Sequence, residues 1–556
     1  MCKSTKDLFV VDFYSEISYN YLVKIFAEIG NVEFYLIFNL SERFDDMNIK
    51  DAKQQIKNAI QAYLVKDEFG DYRISIEHQR PVFLLGAPGI GKTAIMEQIA
   101  QETGLNLVTY SMAHQTRETA MGLPTIVTRN YVGADVQVSE YTMSEIIANI
   151  YNTMEATGIK EGILFLDEIN CVSESLAPIL LQFLQYKIFG LYQIPAGWVL
   201  VTAGNPPQFN KSVNEFDIVT WDRFKKVECE ADFLCWKEYA YYGGVHPAII
   251  AYLELHPGHY YEIDATDRHN YKIITARAWE DLSEMIQLYE IDGMAVTLEL
   301  IGQYLQDHDI APMFYDFYCR FNELREAYDP DSILDGEITQ EAVDRAAAAD
   351  TEEAISVLNL LLDGVTYTMR TTIQMEKMIR QIHPKLEDIL IKINEGLSCR
   401  QIIAEHIMTT QKNLDMAVKA RIISPSNKKI QHWIIHNLEA YLDKCTNEGR
   451  DNKQRCTIII QNAFTNLLNG AKNVTAQSMS GLKNMFVFME AAYGADSPVM
   501  KKLLEELTID VHTMDFIKKY GSDEFYKLIG KPAVEPTYNN MYELNLEDCL
   551  KYEGDE

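Results

Sequence analysis

The stretch that most restricts what this chain can fold into is FLLGAPGIGKTAI, Phe83 to Ile95. An apolar run leads directly into the pattern G-x-x-x-x-G-K-[ST], and helix-forming residues follow. Such a sequence reads as a buried strand, a tight turn and a helix, the opening of a βαβ unit on a parallel sheet. Each residue type in the turn suits a phosphate cradle. Glycines at Gly86, Gly89 and Gly91, with Ala87, Pro88 and Ile90 between them, let successive backbone N–H groups curl inward. Lys92 can reach phosphate oxygens, Thr93 offers a hydroxyl to Mg²⁺, and Ala94 continues the helix whose positive end faces the anion. From average composition, a chance match in a chain this long has a probability on the order of one in fifty.

Downstream, PVFLLG, LNLVTYSM, GILFLDE and GWVLVTAGN are strand candidates separated by helical patterns, so residues from about Arg73 to Lys226 read as α/β. Upstream, MNIKDAKQQIKNAIQAYLV begins an amphipathic helix, with Ile49, Ala52, Ile56, Ile60 and Leu64 near helical spacing. The first 46 residues read either as a small α/β appendage or as an extension ahead of a start at Met47. Behind RFKKVEC the pattern becomes helical, with DFLCWKEYAYYGG, HPAIIAYLELHPG, TARAWEDLSEMIQLYEIDG and VTLELIGQYLQ as four short segments. YDPDSILDGE reads as a connection, the remainder as almost continuous helix, and the acidic tail EDCLKYEGDE as solvated. The expected division is 1–46 extension, 47–231 α/β core, 232–334 all-α lid and 335–556 C-terminal helical domain.

Charge narrows the partners. Fifty Lys and Arg against 81 Asp and Glu give a formal charge of −31, which repels polyphosphate backbones and anionic membranes. Nucleic acid is therefore disfavoured as a partner, and no apolar stretch is long enough to read as a membrane span. The nine cysteines form no C-x-x-C pair and read as buried thiols of a cytoplasmic protein.

Three further elements carry chemistry. GILFLDEIN ends a buried strand on Asp167 and Glu168; Asp167 is placed to hold Mg²⁺ through water and Glu168 to polarise an attacking water, the plain alternative being an acidic turn. GWVLVTAGNPP delivers Asn205 to a strand end, where an amide can bond both a terminal phosphate and the attacking water, or Asn-Pro simply marks a turn. Arg223 in VTWDRFKK and Arg277 in ITARAWEDL are guanidinium candidates for phosphate charge, against a surface ion pair and an ordinary first-turn residue. His432 and His436, four apart in QHWIIHNLEAYL, lack the acidic residue of a zinc-protease pair. His256 and His259 in HPGHYY read as a helix-ending turn, and SNKKIQHW as a solvated basic face.

The order of phosphate loop, LFLDE, AGNP, DRF and a late ARAW resembles the AAA+ ATPases, and more narrowly their MoxR-like group. HQTRETAMGLPTIVTRNYVGADVQVSEYTMSEII is similar to that group's helix-2 insertion, and LAPILLQFLQYKIFGLYQIPAGWVLVTAGNPP to the region leading into its first sensor. The resemblance covers about Asn48 to Leu334. It implies an α/β P-loop AAA+ parallel-sheet core with an all-α lid, and ATP and Mg²⁺ as cofactors. It also implies Lys92 and Thr93 as nucleotide-loop residues, Asp167 and Glu168 as the acid pair, Asn205 as first sensor, Arg223 as a finger given to a neighbouring subunit and Arg277 as second sensor. A homo-hexameric ring, a protein client and a partner with a von Willebrand factor A domain follow from the same resemblance. A nucleic-acid motor or loader, and an ATP-switched scaffold with little turnover, are the alternatives.

Overall fold

A computed structural model describes residues 47–209, 213, 216–264, 272–419, 423–530 and 546. The expectations for residues 1–46 and for the tail EDCLKYEGDE lie outside the described residues. The described residues from Asn48 onward belong to one compact unit.

Its first layer is a five-stranded sheet in the order β2-β5-β8-β1-β9, in which every pairing is parallel. β1 (Val82–Gly86) and β8 (Trp198–Gly204) are buried along their whole length, and β5 (Gly162–Asp167) up to its last residue. Those are the uninterrupted apolar runs of the sequence, as strands covered on both faces require. β2 (Asn106–Ser111) takes one edge and β9 (Lys225–Cys229) the other. The sequence reading ended the α/β pattern at RFKKVEC, where the structure adds this fifth strand. As an edge strand it buries only alternate residues, Val227 and Cys229, and so lacks the apolar run that marks its neighbours.

Helix α1 (Ile49–Tyr63) starts on Asn48, whose Oδ1 accepts from Asp51 N at 2.9 Å, and it buries Ala52, Ile56 and Ile60. α2 (Lys92–Thr103), α3 (Glu145–Thr157) and α4 (Ala177–Tyr186) complete the α/β layers. Two hairpins interrupt them. β3 (Pro124–Tyr131) and β4 (Ala134–Tyr141) form an exposed ribbon, and β6 (Ile188–Phe189) pairs with β7 (Tyr192–Gln193) just ahead of β8.

Behind the sheet lie α5 (Phe233–Gly243), α6 (Pro247–Leu255), the hairpin β10 (Glu262–Asp264) and β11 (Lys272–Ile274), α7 (Ala276–Ile291), a short helix Leu298–Tyr304, and α8 (Ile310–Tyr328). Their shared core holds Tyr252, Trp279, Phe314 and Phe321. YDPDSILDGE, expected as a connection, contains the helix Pro330–Asp335: Pro330 stands at its start, Gly336 closes it with φ 96°, and Ile333 is buried. The long helices follow: α9 (Gln340–Ala348), α10 (Thr351–Asn394), α11 (Cys399–Lys419), α12 (Pro425–Asn447), α13 (Lys453–Tyr493), α14 (Pro498–Ile509) and α15 (Val511–Tyr520). α10 and α13 run antiparallel, as the pairs Thr372 with Ser478 and Asn394 with Lys453 show. Among the described residues, no helix is long and apolar enough to cross a membrane.

Candidate nucleotide site

Because β1, β5 and β8 are parallel neighbours, the segments that leave their carboxyl ends meet at one edge of the sheet. After β1 comes the glycine turn. Gly91 caps α2 with φ 94°, a backbone state that side chains rarely adopt, and a Cβ there would meet nothing within 4 Å. The first turn of α2 carries no acidic residue and no side-chain cap, so nothing there offsets the positive end of the helix dipole.

Lys92 folds back across the turn, donating through Nζ to Gly86 O, Ala87 O and Asn205 Oδ1, each at 2.8 Å. It is buried, and burial pushes its ammonium down to about 8 against the pull of Cys229 and Asp167, with the charge of Arg277 adding to the depression. A cation held under that penalty favours an anion beside it, and a polyphosphate would raise its pKa again. Thr93 Oγ1 donates to Asp167 Oδ2 at 3.1 Å, which sets two hard oxygens side by side at the start of the helix. That donor set fits Mg²⁺.

Glu168 follows with φ 54° and ψ 37°, uncommon for a residue with a side chain, and its N–H donates to Asp167 Oδ1 at 2.9 Å. Its Oε2 accepts from Ser111 Oγ at 2.7 Å. The register explains the contact: Ser111 ends β2 opposite Asp167 on β5. Asn205 is fixed from its other side, where its carbonyl accepts from Asn170 Nδ2 at 2.7 Å. Lys92, Thr93, Asp167, Glu168 and Asn205 are therefore gathered at one place.

The two arginines differ. Arg277 is exposed in the first turn of α7, behind Thr275, whose Oγ1 accepts from Ala278 N at 3.2 Å. Thr275 reaches the glycine turn: a Cβ on Gly89 (φ 77°) would lie 2.9 Å from Thr275 Cβ. Tyr261 adds a second tie, donating through its hydroxyl to Pro88 O at 2.7 Å. Arg223 is elsewhere. It precedes β9, whose Lys225 pairs with Val82 at the amino end of β1, so the length of β1 separates it from the loop, roughly 15 Å at the rise of a strand. Its own charge acts on Asp217.

No local sequence pattern marks Ser111, Asn170 or Tyr261. Each touches the site across 35 to 173 residues of chain, and only the strand order could have pointed to Ser111. His256 and His259 stack with ring centroids 5.1 Å apart at the turn that ends α6, while His432 and His436 are exposed on α12.

Residues 81–224 match the family model for the AAA domain of the dynein-related subfamily. No curated protein matches the chain. Among solved structures, the chain is similar to two variants of Thermotoga maritima RuvB. A proline-to-glycine mutant is 17% identical with TM-score 0.24, covering 46% of this chain and 68% of that one. A lysine-to-arginine mutant is 16% identical with TM-score 0.24, covering 46% and 69%. The matched residues hold most of the parallel sheet and the glycine loop, so this part of the chain has the AAA+ P-loop fold, and a helical region follows it.

Proposed function

We propose that the chain is a MoxR-like AAA+ ATPase that hydrolyses ATP with Mg²⁺ and uses the cycle to remodel or mature a protein client. The observation that carries the reading is the convergence just described, in which Lys92 contacts Asn205 and Thr93 contacts Asp167 beside Glu168. In this reading the loop from Gly86 to Ala94 binds the triphosphate, and Thr93 and Asp167 hold the metal. When bound, Mg²⁺ supplies charge neutralisation at the phosphate oxygens. Glu168, held by Ser111, takes a proton from the attacking water, Asn205 aligns that water, and Arg277 follows the terminal phosphate from the lid.

Arg223 serves a neighbouring subunit, which requires a ring, with six copies as the proposed number. The net charge of −31 supports a protein client over nucleic acid; the cytoplasm as location rests on the unpaired cysteine pattern, and a von Willebrand factor A domain protein as adaptor on the MoxR-like resemblance alone. Phosphate release from wild type beside Glu168→Gln tests the reading. A general base contributes about 10²–10⁴-fold, so the variant is expected to lose at least about a hundredfold in kcat while still binding ATP. Equal rates refute the assignment. The ATP-loaded variant also serves as a trap from which a client is identified.

A further inference from the structure

We propose that Cys399, Cys445 and Cys456 form a zinc site at the end of the helical region, with their three thiolates as protein ligands. The three Sγ atoms all lie within 4.8 Å of one another, and the residues are 2%, 1% and 0% exposed. A zinc ion at about 2.3 Å from each sulfur needs S···S separations of about 3.8–4.0 Å, so the cluster closes on an ion with shifts below about 1 Å.

Three separate helices supply the ligands. Cys399 is the first residue of α11, Cys445 lies in the last turn of α12, and Cys456 in the first turn of α13. Two of the three therefore sit at helix amino ends, where the dipole favours a thiolate. The turn between α12 and α13 is shaped around the sulfurs. Gly449 is buried, and a Cβ there would come within 2.8 Å of Cys456 Sγ and 2.7 Å of Cys445 O. Asp451, with φ 54°, donates its N–H to Cys445 O at 3.1 Å, while its carboxylate accepts from Ser398 Oγ at 2.8 Å and Arg400 N at 3.1 Å. One residue thus clamps the start of α11 to the end of α12.

The thiols turn toward one another, with Cys399 in hydrogen-bonding contact with both of the others. Cys445 Sγ donates to Cys456 O at 4.0 Å and Cys456 Sγ to Cys445 O at 3.7 Å, long and weak bonds that deprotonation by a metal would replace. Zinc suits the donor set: thiolates exclude Mg²⁺ and Ca²⁺, and a thiolate-held iron–sulfur cluster takes four cysteines. The fourth tetrahedral position falls to solvent. The ion's role is structural, joining three helix ends where α10 and α13 also meet through Lys453 Nζ and Asn394 O at 2.9 Å.

The test uses the full chain, stripped with chelator, reloaded with zinc and assayed for metal by mass spectrometry. One zinc per chain is expected, and Co²⁺ in its place should give the thiolate-to-cobalt charge-transfer band of a tetrahedral site. Cys399→Ser, Cys445→Ser and Cys456→Ser should each weaken zinc binding about tenfold or more, while Cys319→Ser should not. Chelator should lower the unfolding midpoint of wild type. Substoichiometric zinc, a cobalt spectrum without thiolate character, copper or iron with labile sulfide, a Cys445–Cys456 disulfide, or equal zinc affinity in all variants overturns the site. The cobalt spectrum is read on wild type, so it decides even where a serine variant does not fold.

Discussion

Removing one buried amine should unseat the joint between the helices behind the sheet and the long helices. Lys237 on α5 is 1% exposed, touches Glu254 of α6, and lies 2.5 Å from Glu506 Oε2 of α14. Tyr241 donates to the same oxygen at 2.8 Å, and Asn359 of α10 donates to Glu254 Oε2 at 3.2 Å. Lys502 completes the set at 2.8 Å from Glu506 Oε1, as an ion pair outside hydrogen-bonding geometry. Two lysines against two glutamates leave no net charge. Burial pushes both carboxyls up; Lys237 and Lys502 bring Glu506 below its usual value, while Glu254, facing Glu506, stays above.

In Lys237→Met the methylene volume is kept and the charge is lost, leaving one lysine between two desolvated carboxylates. Breaking a buried pair in this way costs about 3–5 kcal/mol. For a cooperative unit of about 150–250 residues, at about 2–4 °C per kcal/mol, the melting midpoint should fall by about 6–20 °C. Far-UV circular dichroism reads the shift directly. Glu506→Gln on top of Lys237→Met should return part of the loss, since it removes one of the stranded charges. A Lys237→Met midpoint within about 2 °C of wild type, equivalent to less than about 1 kcal/mol, refutes the reasoning.

Lys187 gives a pH test. It ends α4 with φ 58°, is 2% exposed, donates to Leu184 O, and burial pushes its ammonium down to about 7 from 10.5. Between those values the unfolded chain binds the extra proton, so stability should rise with pH across that window. Below about pH 9, where the buried thiols with raised values do not yet add the opposite slope, Lys187→Met should flatten the rise in melting midpoint, leaving the smaller part that Lys92 contributes with the same sign; unchanged slopes would contradict it. Arg223 gives a test of geometry. Held about a strand's length from the loop, it cannot serve its own Lys92, so Arg223→Ala and Lys92→Ala should each be inactive alone. Mixed, they should regain about a quarter of wild-type phosphate release, the share of interfaces pairing an intact loop with an intact arginine. No recovery would count against a finger in trans.

Sequence carried the parts of this molecule whose chemistry is contiguous. The loop from Gly86 to Ala94 needs consecutive residue types, and buried central strands need apolar runs, so both show without any knowledge of the fold. β9 did not show because an edge strand half open to solvent alternates, and the short helix Pro330–Asp335 did not because its Asp, Pro and Gly spell a turn as readily as a cap. Ser111 beside Glu168 required the strand order, which no local pattern contains.

The same division between local and long-range information separates the two halves of the chain. In the α/β half, parallel register converts three strand ends into one site, so a few motifs in order suffice to anticipate which residues meet. In the helical half, the groups with most at stake are Lys237 with Glu506 and Cys399 with Cys456, which lie 269 and 57 positions apart on different helices. An isolated lysine or cysteine at helical spacing looks like any surface cation or core filler. Its meaning comes from burial, which makes an unpaired charge expensive and brings three thiols close enough to share one ion. Charge neutrality at the first cluster and ligand geometry at the second are therefore properties of the packed helices, and mutations there should alter stability and metal content while leaving the residues of the nucleotide loop in place.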